Sequence, residues 1–410
     1  MQYGTGNSES GALGNQDFTG KFPVGFIAYL ASAIALLLSF TSAHAQQPTA
    51  SPEAAQRERR YTTREEQRDE APKHALTKWL SVSALIEAEY ISHRLHALEK
   101  PPEPDEGEPE EPPPSVPPSQ APFRSLRQSH RSDSGRSFEA VIEITPPIPS
   151  VRGELVWEYD AKTNRDKLDE AIVTWKVGDF ELELGRLYPP FGEYFSHFVS
   201  GPLLEFGETR GEGAVLSYSP SGWLDLSAFV LKGRAERIGS GDGKADWGVA
   251  AELAPFEAVT FGVSYFSDLA ESQEALLLAS DHRYRRKVAG FSSYAVLSYE
   301  GFELSAELVQ ALDSFRELDL DRNAPRAWNL ELAVYPMNSF GVALRREASQ
   351  ELEGAPRRRE GAAVIWRVWG NVFLLFEVLR GSFEPGLAED ARERDLDRVQ
   401  QIGAQISVDL

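Results

Sequence analysis

Apolar and polar residues alternate one by one from Leu80 to the end of the chain, in segments of about ten residues. Such alternation places successive side chains on opposite faces and is typical of a strand with one apolar and one polar face. The pattern predicts sixteen strands, with no amphipathic helix of normal length between them. They cover 80–91, 136–145, 150–159, 168–177, 180–188, 208–218, 222–232, 245–254, 257–267, 287–299, 302–312, 326–335, 339–348, 359–369, 371–380 and 398–410.

The connections between these segments alternate between long and short without a break. Short turns such as Gly178-Asp179 and Glu300-Gly301 separate pairs of strands. A barrel across an outer membrane sorts its connections in this way, with short periplasmic turns and long extracellular loops. Because hydrocarbon offers no partner to backbone amides, a membrane barrel must also close on itself. The sequence predicts an all-β, antiparallel, up-and-down transmembrane β-barrel of about sixteen strands. The long loops cover 92–135, 160–167, 189–207, 233–244, 268–286, 313–325, 349–358 and 381–397.

The residues before the barrel predict export. The uncharged run 26–40 is followed by the small residues Ala43 and Ala45, which predicts a signal peptide over 1–45, with an uncleaved anchor as the alternative. Residues 46–78 are highly charged and predict a periplasmic tail, and 79–410 form the barrel. Within its first loop, 99–122 is rich in Pro and Glu and predicts an extended extracellular segment. We therefore expect the outer membrane of a Gram-negative cell as the location.

Composition and charge exclude several functions. The net charge of -21 opposes nucleic-acid binding, and the absence of cysteine excludes thiolate sites and disulfides. His93 and His96 would give a metal only two ligands in a loop, so neither a metal nor a cofactor is predicted. Acidic pairs such as Glu181 and Glu183 fit a lumen lining better than acid–base catalysis. The sequence predicts no enzyme.

The two faces of the predicted strands differ in chemistry. We assign the apolar face, for example Leu226 and Val230, to lipid, with aromatic residues such as Trp175, Tyr335 and Trp369 as interfacial girdles. The opposite face holds four basic residues, Arg152, Lys176, Arg345 and Arg367. It also holds fifteen carboxylates, so the lumen is expected to prefer cations. These are Glu87, Glu89, Glu139, Glu143, Glu154, Glu158, Glu170, Glu181, Glu183, Asp225, Glu252, Glu303, Glu307, Glu331 and Glu377.

The third long loop, 189–207, is too apolar to lie freely in water. It therefore predicts a constriction folded into the barrel, with packing on the rim as the alternative. Four charged residues around this loop, Arg186, Glu208, Arg210 and Glu212, break the alternation, so we expect bulges or strand ends there. Arg186 and Arg210 could bind Glu205, Glu208 or a ligand carboxylate, or form a rim ion-pair network.

Several motifs in this region resemble the LbtU-type siderophore porin family. They are Asp169-Glu170-Ala171, Gly185-Arg186-Leu-Tyr188-Pro-Pro-Phe191-Gly192, Gly201-Pro-Leu-Leu-Glu205-Phe-Gly-Glu208-Thr-Arg210, Glu307-Leu-Val-Gln-Ala-Leu-Asp313-Ser-Phe315 and Pro325-Arg-Ala-Trp328-Asn-Leu-Glu331. The order holds across 79–410, although members usually have Asp where this chain has Gly201. The resemblance implies a barrel that takes up ferric siderophores passively, without a plug domain.

The leading hypothesis is therefore a passive outer-membrane channel for ferric siderophores or similar small solutes. A general or other-substrate porin, and an adhesin or structural anchor working through 92–135, are the alternatives, and a homo-oligomer stays open. The candidate ligand and pore residues are Arg186, Tyr188, Phe191, Glu205, Glu208, Arg210, Arg152, Glu154, Glu170, Lys176, Asp313, Glu331, Arg345 and Arg367.

Overall fold

The computed structural model describes residues 74–98, 126–161, 165–232, 236–237, 245–272, 283–284, 286–318, 323–390 and 394–410. All of them belong to one compact unit, Glu58–Leu410. The predicted signal peptide, most of the charged tail and the Pro/Glu-rich segment 99–122 lie outside the described residues.

All sixteen predicted strands are present. They are β1 Leu80–Leu98, β2 Leu126–Ile144, β3 Val151–Asp160, β4 Arg165–Val177, β5 Phe180–Leu187, β6 Gly211–Ser221, β7 Leu224–Lys232, β8 Ala245–Phe256, β9 Val259–Phe266, β10 Gly290–Tyr299, β11 Phe302–Ala311, β12 Arg326–Met337, β13 Phe340–Gln350, β14 Arg358–Trp369, β15 Val372–Ser382 and β16 Leu396–Asp409.

The strands form one closed antiparallel barrel. Each pairs with its neighbours along the chain, and β16 pairs with β1, for example through Ile406 and Ala88, so the ring has no free edge. Closure satisfies the backbone hydrogen bonds of every strand, as a hydrocarbon environment requires. The predicted fold class is confirmed.

Several predicted boundaries are wrong. Strands β1 and β2 pair as far as Leu98 and Leu126, well into the predicted first loop. Strand β6 begins at Gly211 and not at Glu208, and the turn before β9 lies two residues later than predicted. The end of the predicted tail, His74–Thr77, forms a short strand that pairs with the start of β1.

The outer face is apolar, as predicted. Leu226, Val230 and Ile402 are exposed, whereas polar residues on the opposite face, such as Glu139, are buried. Trp79, Trp175, Trp223, Trp247 and Trp369 are more than half exposed near strand ends, where membrane barrels carry aromatic girdles. Tyr335 is an exception, because it points inward and packs against the buried Ala333 and Phe198.

Helical structure within the described residues is limited to short 3-10 turns, Leu203–Gly207 and Leu269–Glu271. No helix in this part of the chain is long and apolar enough to cross a membrane. A two-residue parallel pairing joins Glu236–Arg237 to Arg283–Tyr284 outside the barrel sheet.

Candidate functional site

The third long loop folds into the barrel. We call residues 188–210 the inward loop. Its Phe191 packs at 5.6 Å from Phe266 of β9, and its Phe198 packs against Ala343 of β13, on another part of the wall. The constriction predicted from the apolar character of this loop is confirmed, and the alternative of packing on the rim is wrong.

Wall carboxylates hold this loop by its backbone. Glu307 of β11 accepts hydrogen bonds from the amides of Glu193 and Tyr194 at 2.7 and 2.9 Å. Glu347 of β13 accepts one from the Leu203 amide at 2.6 Å. Hydrogen bonds to ionised acceptors are about twice as strong as neutral ones. The loop does not pair with a strand at these residues, so its buried amides require other acceptors. The wall carboxylates supply them.

A buried histidine is at the centre of this contact. The Nδ1 atom of His197 lies 3.0 Å from Glu331 of β12, and Nε2 lies 3.3 Å from Glu303 of β11. Burial acts to lower the pKa of His197, but the hydrogen bonds and negative charges of Glu303 and Glu331 outweigh it and raise the pKa to about 9. At neutral pH the imidazole is therefore a cation between two carboxylates.

Two arginines complete the attachment. Arg345 of β13 forms a buried ion pair with Glu331 at 2.7 Å and donates to the carbonyl of Ser200 at 2.7 Å. Arg359 of β14 donates to the carbonyl of Gly201 and pairs with Glu347. Backbone amides of the loop thus donate hydrogen bonds to wall carboxylates, and backbone carbonyls of the loop accept hydrogen bonds from wall guanidinium groups.

Ser200 of the inward loop reaches still further around the wall. Its amide donates to Glu377 of β15 at 3.0 Å, and its hydroxyl bonds to the same carboxylate and to Gln401 of β16. Glu303, Glu307, Glu331 and Glu377 therefore contact the loop from the inner face of the barrel, where the alternation predicts them. The inward loop covers these four carboxylates.

Gly201, where the family resemblance would place Asp, fits the packing of this segment. A Cβ atom at this position would lie 1.7 Å from the carboxylate oxygen of Glu205. An aspartate at 201 would therefore require Glu205 to move. In this chain the space goes to the Glu205 carboxylate, and the Gly201 carbonyl remains open to Arg345 and Arg359.

A bulge in strand β4 shapes the other side of the site. Val156 of β3 pairs with Glu170 and Trp157 pairs with Leu168, so Asp169 has no residue opposite it. An extra residue of this kind is a β-bulge, which re-aims side chains. Asp169 and Glu170 are consecutive, yet both are buried. Strict alternation would have placed only one of them on the inner face.

Both candidate arginines bind this bulge. The Nε atom of Arg186 donates to the Asp169 carbonyl at 3.1 Å, and Arg210 forms a buried ion pair with the Asp169 carboxylate. The hydroxyl of Tyr188 lies 3.4 Å from both Asp169 and Arg210. Sequence reasoning considered Glu205 and Glu208 as partners of Arg210 but did not consider Asp169. Strand ends are confirmed at Glu208 and Arg210, which precede β6.

A cavity of about 1000 Å³ remains between the inward loop and the wall formed mainly by β1–β10. Its lining includes twelve acidic residues and two basic ones, Arg136 and Lys167. Lys167 lies 3.0 Å from Glu158 and 3.2 Å from Asp169. The loop contributes Glu193, Glu205 and Glu208 on one side. The free space is therefore strongly acidic even though several wall carboxylates are covered.

The remaining candidate residues lie apart from the loop attachment. Arg152 and Lys176 pair with Glu181 at 3.8 and 3.4 Å, near the short turns. Glu154 is in β3, on the inner face between Arg152 and the buried Val156. Arg367 lies 4.9 Å from the ring of Phe373.

Asp313 belongs to a different loop. It accepts a hydrogen bond from the Ser314 amide and pairs with Arg286, and these contacts, the Ser314 bond most of all, lower the pKa of its carboxyl group. The structure therefore brings together Arg186, Tyr188 and Arg210, with Phe191, Glu205 and Glu208 on the same loop, but it does not bring Asp313 to them. His93 and His96 are three residues apart on β1. Their side chains therefore lie on opposite faces of the strand and cannot bind one metal ion together.

A buried acidic cluster lies near the start of β8. Asp246, Asp268 and Glu271 bring oxygen atoms within 4.8 Å of one another. Carboxylate oxygens are the ligands that calcium and magnesium prefer. Here Lys287 and Ser267 bind Asp246, and Asp268 caps the short helix through the Ala270 amide.

Glu347, His197 and Arg359 also contribute to the site and were not predicted from the sequence. Glu347 has the same strand parity as Arg345, so extending the predicted β13 inner face by one position would have found it. Arg359 begins the predicted strand 359–369 with the parity of Arg367, so the same rule would have placed it on the inner face. His197 carried no comparable signal, because its role depends on where the loop lies against the wall.

Comparisons with known proteins agree with the barrel. No family model matches the chain. A UPF0422 protein of Coxiella burnetii is 26% identical over an alignment of 283 residues that covers 62% of this chain and 60% of the relative's own length. The chain thus spans about three fifths of that relative.

Solved structures share the architecture with little sequence identity. The outer membrane channel DcaP of Acinetobacter baumannii has a TM-score of 0.54 at 9% identity, covering 82% of this chain and 99% of that one. An anion-selective porin from Comamonas acidovorans has a TM-score of 0.53 at 7% identity over 81% and 99%. OmpF of Salmonella typhi has 0.52 at 11% over 83% and 100%. The chain has the closed-barrel fold of outer-membrane porins.

Proposed function

We propose that the protein is a passive outer-membrane channel that prefers cations. The observation that carries this proposal is the acidic cavity between the inward loop and the β1–β10 wall. A low-dielectric wall focuses the field of the carboxylates and raises the local concentration of cations. Rings of carboxylates are a common basis of cation selectivity in channels.

Planar-bilayer recording tests the channel and its selectivity together. In a potassium chloride gradient, the protein should conduct and its reversal potential should show preference for potassium. Changing Glu193→Gln and Glu208→Gln together should weaken that preference, because both line the cavity. Glu212→Gln is the matched control, since Glu212 is exposed and pairs with Lys232 on the outer face. Absence of current would favour an anchor over a channel.

We propose ferric siderophores as the solute class within this function. The support is the resemblance of the loop motifs, and three of those motifs supply Asp169, Tyr188 and Arg210, which meet at the bulge. An acidic passage should favour neutral or cationic chelates over anionic ones. Growth of an iron-starved strain with and without the protein tests this on one cationic and one anionic ferric chelate. No growth difference on either would remove the iron assignment and leave the channel.

A further inference from the structure

Five exposed arginines lie on the outside of the barrel, away from the lumen. We call Arg94, Arg346, Arg358, Arg380 and Arg398 the arginine belt. Each lies within four residues of the long-loop end of its strand, on β1, β13, β14, β15 and β16. These strands are consecutive around the ring, because β16 pairs with β1.

The strand register arranges the belt in two neighbouring rows. The first row runs across five neighbouring strands, from β13 through β16 to β1. Its residues lie opposite one another in the strand register, in the order Arg346, Glu360, Arg380, Gln400 and Arg94. In the second, Arg358, Ser382 and Arg398 follow one another. Adjacent strands are about 4.8 Å apart, so arginines on alternate strands have Cα atoms about 10 Å apart. Several guanidinium groups can therefore reach the same or neighbouring anions.

The orientation of the belt is fixed by its chain neighbours. Arg345 and Glu347 flank Arg346 and are buried inside the barrel, so Arg346 faces outward. The side chains of Arg380 and Arg398 are 77% and 73% exposed. The next outward residues toward the short turns are apolar and exposed. They include Leu344, Val378 and Ile402. The belt therefore borders the lipid-facing band directly.

The belt has an excess of positive charge, because its five arginines have two carboxylates beside them. Glu360 pairs with Arg380, and Asp397, at the start of β16, lies 3.1 Å from Arg398. A guanidinium group presents a planar fork of donors that matches phosphate geometry. Basic residues at a membrane surface attract anionic headgroups. On the far side of the ring the outward pair Glu212–Lys232 is neutral overall.

We infer that the arginine belt binds the phosphate groups of anionic lipids in the outer leaflet. Because the belt lies just above the apolar band, its guanidinium groups are at the depth of the lipid headgroups. Lipid phosphates are therefore the anions next to them. This inference rests on the proposed outer-membrane location but does not require the channel to conduct.

Lipid retention in nanodiscs tests the inference. The full chain is folded into phosphatidylcholine nanodiscs with either bisphosphorylated or dephosphorylated lipid A, and bound lipid is measured by native mass spectrometry. The phosphorylated form should be retained at least about fivefold more, since each basic residue near the surface contributes about that factor. Arg94→Gln, Arg346→Gln and Arg358→Gln together should reduce its retention on the order of 100-fold.

Two controls separate this result from misfolding and from the channel proposal. Lys232→Gln removes one exposed cation at the same rim of β7 and should leave retention unchanged. Arg358→Gln alone should lose about fivefold while keeping the heat-dependent gel mobility of a folded barrel and its bilayer current. Equal retention of both lipids, displacement of lipid A by inorganic phosphate at the same concentration, or a triple variant that retains lipid A as the native chain does, would each overturn the inference.

Discussion

Arg210, at the end of the inward loop, forms a buried ion pair with Asp169, the extra residue of the β4 bulge. Tyr188, at the beginning of the same loop, reaches the same carboxylate with its hydroxyl. One side chain therefore ties both ends of the loop to the wall. The bulge is what turns Asp169 inward, so a local irregularity of the strand determines how the loop leaves and re-enters the barrel.

Replacing Asp169→Asn should loosen the inward loop. The substitution leaves the Arg210 guanidinium buried without its carboxylate, which costs roughly 3–5 kcal/mol when a buried pair loses one partner. We expect a lower unfolding temperature and a noisier bilayer current. Asp166→Asn is the control, because Asp166 is an exposed residue of the same strand. Equal thermal stability of both variants would contradict the anchoring role.

Replacing Glu307→Gln should free the part of the loop nearest β11. The carboxylate accepts both the Glu193 and Tyr194 amides, and an amide side chain has no charge and offers one acceptor oxygen. We expect a larger and more variable single-channel conductance. Glu252→Gln is the lumen control, because Glu252 lines the cavity and accepts a hydrogen bond from Tyr294 of β10. It should change ion selectivity while the current stays steady; identical noise in the two variants would argue against the attachment.

Stability should fall at alkaline pH through His197. Its pKa rises from the ordinary value of 6.5 to about 9 in the folded protein, so the folded state binds the proton more tightly. The resulting stabilisation, roughly 3 kcal/mol, is fully present below pH 6.5 and is lost as the pH rises through about 9. The measurement is the unfolding temperature between pH 6 and pH 10, in roughly unit steps. His197→Gln should remove this dependence; a native chain with a flat profile would contradict it.

Much of the barrel was predictable because the alternation of apolar and polar residues repeats every two residues and depends only on the local sequence. Side chains in a strand alternate strictly, so Leu226 and Glu139 could be assigned to faces without tertiary information. The alternation of short and long connections then indicated a closed membrane barrel. Predicted boundaries were wrong where a strand continues into polar sequence, as β1 does from Ser92 to Leu98, because pairing with β2 and not side-chain pattern decides the end.

The site was less predictable because it depends on contacts between distant segments. Glu331 and His197 are 134 residues apart, and nothing in either local sequence indicates the other. The bulge at Asp169 breaks the parity rule on which the face assignments rest. Fifteen carboxylates could be assigned to one face, but which of them meet water and which meet the loop depends on how the loop folds.

Cysteine accessibility tests the central claim, that the loop covers one wall and leaves the other open. The chain has no cysteine, so Ala250→Cys and Ala343→Cys each introduce a single thiol. Ala250 lines the cavity on β8, whereas Ala343 on β13 is buried beneath Phe198. During bilayer recording, a cationic methanethiosulfonate reagent should reduce the current of Ala250→Cys and leave that of Ala343→Cys unchanged. Equal modification of both, or modification of Ala343→Cys alone, would contradict the account.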